Sequence, residues 1–135
     1  MLLPLPPSAA QTVALSNHLT FAACRDGAGS AYLFNELIQL VYVTFFVQDA
    51  GYGDTDVLAY ARAESALERG LQRAETERIW ALDPADLPLF EAVLREADRQ
   101  LAAAPRYAHV GARERLKRFA TSGRTSPLTS AAARH

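Results

Sequence analysis

Cysteine is almost missing from this chain. Cys24 is the single one in 135 residues, so no intrachain disulfide can close and the fold has to be held by packing. Histidine is nearly as scarce: His18, His109 and His135 lie far apart, and with one thiol they make no zinc-ligand spacing. No metal and no cofactor are expected. Long apolar runs are also lacking, because the greasiest stretch, Leu37–Val47, is too short for a bilayer and has Asn35, Glu36, Gln39, Gln48 and Asp49 in or beside it. The start, Met1–Pro7, has no basic n-region, and three prolines interrupt its leucines. A cytoplasmic protein without a membrane partner is the expectation. Half of the residues are apolar, which suffices for one domain around one core.

Net charge is near zero, yet the two parts of the chain oppose each other. Residues 1–104 carry seven basic and fourteen acidic side chains, a net of −7, whereas residues 105–135 carry seven basic ones and Glu114 alone, a net of +6. The organisation expected is an extended arm over residues 1–7, a helical domain over 8–104, and a basic, largely disordered tail over 105–135.

Helical periodicity dominates the middle of the chain. Ser8 offers an N-cap for a first helix reaching Arg25, with Val13, Leu15, Leu19, Ala22 and Ala23 as a loose apolar stripe. Asp26-Gly-Ala-Gly-Ser30 breaks it, and Ser30 can cap a second helix from about Ala31 to Ala50. Thirteen of the 17 residues from Ala31 to Val47 are apolar, so this helix must be covered on most sides. A strand over Leu40–Val47 is the competing reading, since β-branched residues and aromatics crowd there; no turn signal separates that stretch from the helical residues before it. Asp54 or Asp56 caps a third, amphipathic helix running to about Trp80, in which Gly70 marks the close approach of a neighbour. Asp86 caps a fourth, because Pro88 then falls in the first turn; Leu87, Phe90, Leu94, Ala97 and Leu101 line its buried side. Pro105 stops it. Ala112–Phe119 reads as a short basic turn, and Ala120–His135 as disordered by composition. The fold class expected is all-α, four main helices in an antiparallel bundle-like domain with a central apolar helix.

No catalytic constellation emerges. The glycines of Asp26–Ser30 lack the Lys-Ser/Thr and the preceding strand of a phosphate loop. Asp49, Asp54 and Asp56 lack the alternation and the bidentate glutamate of a calcium loop. Glu64 and Glu68 share a face without the Glu-x-x-His spacing of a di-iron site. Cys24 reads as a small apolar side chain and His18 as a packed or boundary residue. No catalytic residue is assigned. Asn35, Glu36 and Gln39 stand out as polar residues grouped on the apolar second helix; they either face solvent and satisfy neighbouring polar groups, or line a ligand pocket or a dimer interface.

A helix-turn-helix alignment fits Leu19–Ile38, with Ala23 at the small-residue position, Gly27 at the turn and Leu33 in the core. Its second helix, however, contains no Lys or Arg to meet phosphates. Arg113, Arg115, Lys117 and Arg118 are the nucleic-acid candidates instead, the alternative being a tail that lies on the acidic body of the same or a partner chain. The runs HLTFAACRDG over 18–27, SAYLFNEL over 30–37 and QDAGYG over 48–53 resemble short bacterial proteins grouped as Fis-family transcriptional regulators, over roughly residues 10–105. That resemblance implies DNA binding and carries over no functional residue. The residues themselves point to a non-enzymatic interaction or regulatory protein. A homodimer is expected to cover part of the surface of Tyr32, Phe34, Tyr42, Phe45 and Phe46.

Overall fold

The uncharged stretch behind the proline arm coils from its last proline, and four more helices follow. A computed structural model describes residues 3–128: α1 Pro7–Arg25, α2 Ala31–Asp49, α3 Val57–Glu77, a 3-10 turn at Pro84–Asp86, α4 Leu87–Ala103 and α5 Arg106–Ala120. The all-α class is confirmed. The strand alternative for Leu40–Val47 is not realised, since those residues continue α2 without a break.

The caps follow local chemistry, with two departures from expectation. Ser30 Oγ accepts from Leu33 N at 3.1 Å and Asp56 from Leu58 N at 3.0 Å, as N-caps do. Ser8 caps nothing, because α1 already begins at Pro7, whose ring presets a helical φ and whose missing N–H costs nothing at the first position. Asp86 makes no cap bond; its carboxylate holds Arg69 at 3.0 Å, and Asp83 caps the 3-10 turn through Ala85 N. After α1, Gly27 takes φ 84° and Ala28 N returns to Ala23 O at 2.9 Å, a glycine-dependent C-terminal stop.

Helix α2 packs against every other helix of the fold. Phe34, Leu37, Val41, Tyr42, Phe45, Phe46 and Val47 are buried along it, as a helix without a polar face requires. Four of the five aromatics expected to need a dimer, Phe34, Tyr42, Phe45 and Phe46, are thus already inside a single copy. Tyr32 alone stays 69% exposed. The same burial removes α2 as a recognition helix: Phe34 is inside and Ile38 packs against the core, so no groove of DNA can reach them.

At one end, the loop after α3 lies on the α1–α2 turn, Gly29 N donating to Trp80 O at 3.2 Å and Leu82 N to Cys24 O at 3.0 Å. Phe34 is wedged there, edge-on to Trp80. A Cβ at Gly70 would sit 2.7 Å from its ring, and one at Gly29 2.9 Å; the close approach expected at Gly70 is therefore real.

The disordered tail expected after residue 104 needs correction. Residues 106–120 form α5, whose buried Ala108 and Ala112 and partly buried Leu116 and Phe119 pack against the core. That apolar side docks the helix, Phe119 standing edge-on to Tyr42, and charge adds to it: Arg115 meets Asp49 at 3.0 Å and lies over the Phe46 ring, 4.3 Å from its centroid. Beyond the helix, Ser126 Oγ donates to Glu64 at 2.7 Å and Leu128 is 1% exposed. Residues 129–135, which complete the segment expected to be disordered, lie outside the described residues. The arm is likewise tied down, with Arg106 N donating to Leu3 O at 2.8 Å and Pro4 bridging Pro105.

Candidate functional site

Glu36 and Gln39 are three residues apart on α2 and therefore on one side of it. They open into a cleft of about 320 Å³. Val13 and Asn17 of α1, one turn apart, form one wall, and Leu5 of the arm closes one edge. Leu40, Val43 and Thr44 of α2 and Ala97, Gln100 and Leu101 of α4 supply the floor, and Arg106, His109, Val110 and Arg113 of α5 the opposite wall. Asn35, rotated about 100° from Glu36, falls outside and lines a separate groove with Ile38, Tyr42 and Glu64. The polar trio is thus split. Two members share a cleft and the third does not.

Gln100 is 4% exposed and fixed by donating from Nε2 to Thr44 O at 3.0 Å. His109 Nε2 lies 3.1 Å from the Gln100 carbonyl, which can only accept, so Nε2 carries the ring proton. Burial pushes the imidazole below its ordinary pKa, and Arg113 adds to the shift; the ring is neutral at pH 7. The cleft therefore presents one carboxylate, two guanidiniums, three amides and a neutral histidine over an apolar floor. Thr44 also lines it, and no hydrogen bond links its hydroxyl to His109 or Glu36, the Thr44 carbonyl being the atom that Gln100 holds.

Two other polar clusters serve the fold. Glu96 is 2% exposed, and its Oε1 accepts from Asp54 N at 2.8 Å, Thr55 N at 3.1 Å and Thr55 Oγ1 at 3.0 Å, while Arg99 Nε meets Oε2 at 3.0 Å. Gln48 finishes the latch by accepting from Tyr60 Oη at 2.6 Å and donating to Thr55 O at 2.5 Å. Burial opposes the Glu96 charge, but the donors around it prevail and hold the carboxyl below its ordinary pKa. In the second cluster Glu64 accepts from both Tyr42 and Ser126, and burial drives the Tyr42 phenol far up.

The candidates for chemistry fare as their surroundings dictate. Burial raises the Cys24 thiol to about 11, so it is neither thiolate nor nucleophile at neutral pH. His18 Nε2 meets Asp98 at 2.9 Å and ties α1 to α4 at the surface. Among the described residues no three of His, Cys, Asp and Glu converge to hold a metal ion, and no helix is long and apolar enough to cross a membrane. The basic candidates are divided. Arg113 lines the cleft, Lys117 pairs with Glu114 at 3.5 Å, and Arg115 is held by Asp49 and Phe46. Arg115 and Arg118 border a different hollow with Phe119 and Arg124.

No family model, curated protein or solved structure matches this chain.

One further surface is unusual. Leu15 and Leu19 are 60% and 61% exposed, and with Tyr32 they line a shallow hollow rimmed by the hydroxyls of Thr12, Ser16 and Thr20. Arg25 is the one Lys, Arg, Asp or Glu in all of α1. Sequence reasoning missed this face, since it read Leu15 and Leu19 as the inward stripe; their alternation with hydroxyl residues at i, i+4 and i+8 was the available signal. It also missed Gln100 and His109, for which a lone histidine in an arginine-rich segment offers no signal.

Proposed function

We propose that the protein is a non-enzymatic interaction protein that works as a homodimer, two copies meeting through the outer face of α1. The observation that carries this is the shared exposure of Leu15, Leu19 and Tyr32 around one shallow hollow. Large apolar side chains scatter singly over ordinary surfaces, whereas a contiguous group marks a contact. Charge selects the partner as a second copy. The acidic side chains are concentrated in residues 1–104, net −7, and are balanced over the whole chain only by the +6 of residues 105–135, so contacts between carboxylate-bearing faces of two copies are repulsive. The face of α1 meets itself without that repulsion, Glu36 at the edge of the hollow being the exception, and a two-fold contact is self-complementary by construction. In this reading the four helices before Pro105 form the antiparallel bundle-like body that their short connections favour, and α5 braces it. Regulation would follow from what the paired surface recruits.

The test is mass in solution. Light scattering of the wild type at tens of micromolar is expected to give twice the chain mass, and Leu19→Glu to give one chain mass with unchanged helical circular dichroism. Because Leu19 is mostly exposed, the substitution costs the single copy roughly 0.5 kcal/mol or less. A wild type with the mass of one chain, or a Leu19→Glu variant that stays paired, rejects the proposal.

A further inference from the structure

The cleft between α1, α2, α4 and α5 holds an electrostatic arrangement that the proposed contact between copies borders only at Glu36. Glu36, Arg106 and Arg113 all line it. Among the described residues none of the three has an ion-pair partner within 4.0 Å, although seven other such pairs occur. Opposite charges that share a cleft without closing on each other leave room between them for a group that meets both. Two guanidiniums suit a carboxylate, which they can grip through paired N–H donors. The Glu36 carboxylate suits an ammonium.

The rest of the lining says what joins those two charges. Leu40, Val43 and Leu101 of the floor and Val13 of the α1 wall offer apolar surface, and His109, kept neutral by burial, adds no charge. Gln39 and Asn17 bring amides that donate and accept at the rim. A volume of about 320 Å³ is near the lower end of the ~300–1,000 Å³ that small-molecule sites occupy. A purely anionic ligand would be set against Glu36, and a purely cationic one against two arginines.

We propose that this cleft binds a small zwitterion of the α-amino-acid class with an apolar side chain: its carboxylate on Arg106 and Arg113, its ammonium on Glu36, its hydrocarbon on the floor. The proposal stands whether or not two copies pair through α1, because the cleft is built from one chain.

Calorimetric titration of the full chain tests it, with leucine, valine, methionine and phenylalanine as probes. Isocaproate, which is leucine without its ammonium, and isoamylamine, which lacks the carboxylate, are the controls. At least one of the amino acids should saturate in the millimolar range or below, and leucine should bind about tenfold or more tightly than either control, each charged hydrogen-bonded contact being worth that factor. Glu36→Gln should erase the advantage of leucine over isocaproate, and Arg113→Gln should weaken leucine while isoamylamine binds as well as before or better, one opposing guanidinium having been removed. No saturable binding of any of the four, or isocaproate binding the wild type as tightly as leucine, overturns the proposal. The comparison of ligands on the wild type decides even where a variant fails to fold.

Discussion

Glu96→Ala is expected to cost about 2–4 kcal/mol of stability, read as a lowered urea midpoint with an unchanged slope. Two backbone N–H groups and one hydroxyl converge on Glu96 Oε1; on truncation Thr55 N keeps Gln48 Oε1 at 3.1 Å, whereas Asp54 N and Thr55 Oγ1 are left facing a void, at about 1–3 kcal/mol for each donor that water cannot reach. The loop lies at the surface, so water recovers part of the loss, which keeps the total below the sum. Space is tight as well: a Cβ on Gly53 would come within 2.8 Å of the same oxygen, which shows how closely the loop wraps the carboxylate. Glu96→Gln keeps one accepting oxygen and the side-chain volume, so about 1–2 kcal/mol is expected. The pH dependence has a definite sign. Because the folded state holds this carboxyl below its ordinary pKa, its contribution is complete above the unfolded-state value, about 4.3, and is lost as pH falls through the folded one. The gap between wild type and Glu96→Gln should therefore narrow on acidification below about pH 4. A gap that stays constant down to pH 2 would contradict the role assigned to the charge.

Phe34→Ala should be at least as damaging, at about 3–5 kcal/mol. The ring is buried against Trp80, edge to face with centroids 5.2 Å apart, and two glycines let it in. Gly70→Ala probes the same wedge from the other side with opposing contributions. Alanine gains about 1 kcal/mol of helix propensity over glycine, but its Cβ would stand 2.7 Å from Phe34 Cε2. The ring cannot retreat, since Gly29 and Trp80 close its far side. Overpacking of this kind costs about 1–3 kcal/mol, so strain wins and Gly70→Ala destabilises. In a Phe34→Leu background the obstruction is gone and the propensity gain remains, so the same substitution should stabilise. That reversal of sign in a double-mutant cycle distinguishes steric contact from a general dislike of change at Gly70; additive behaviour would show that the two residues do not touch.

These two sites show how unevenly structure was legible. Gly70 was readable because a glycine inside a strongly periodic helix costs propensity and so needs a reason. Nothing marked Glu96 as buried, because Glu-Ala-Asp-Arg at 96–99 reads as an ordinary solvated turn of helix. The segment after Pro105 was misread for a related cause. Ala108, Ala112, Leu116 and Phe119 do recur at helical spacing, but alanines are a faint apolar signal, and the arginines between them suggested a solvated tail. What orders α5 is packing against residues far away in sequence, Phe119 on Tyr42 and Arg115 on Phe46 and Asp49 among them. The candidate site was half visible: Glu36 and Gln39 stood out against their greasy helix, while Asn35 was grouped with them by spacing and separated from them by the walls of neighbouring elements.

The order of side chains along the chain by itself settled the helical class, the break at Asp26–Ser30, the cap at Ser30, and the need to shield the segment from Ala31 onward, and it narrowed the cap of the third helix to Asp54 or Asp56. Those are local matters, decided by a period of 3.6 residues and by which backbones tolerate a turn. Only the tertiary structure decided which side of each helix meets which neighbour. That choice places Glu36, Arg106 and Arg113 around one cleft, disperses the other basic residues, and leaves Leu15 and Leu19 outside. It depends on how segments far apart in sequence fill space together, and helical periodicity carries no record of it.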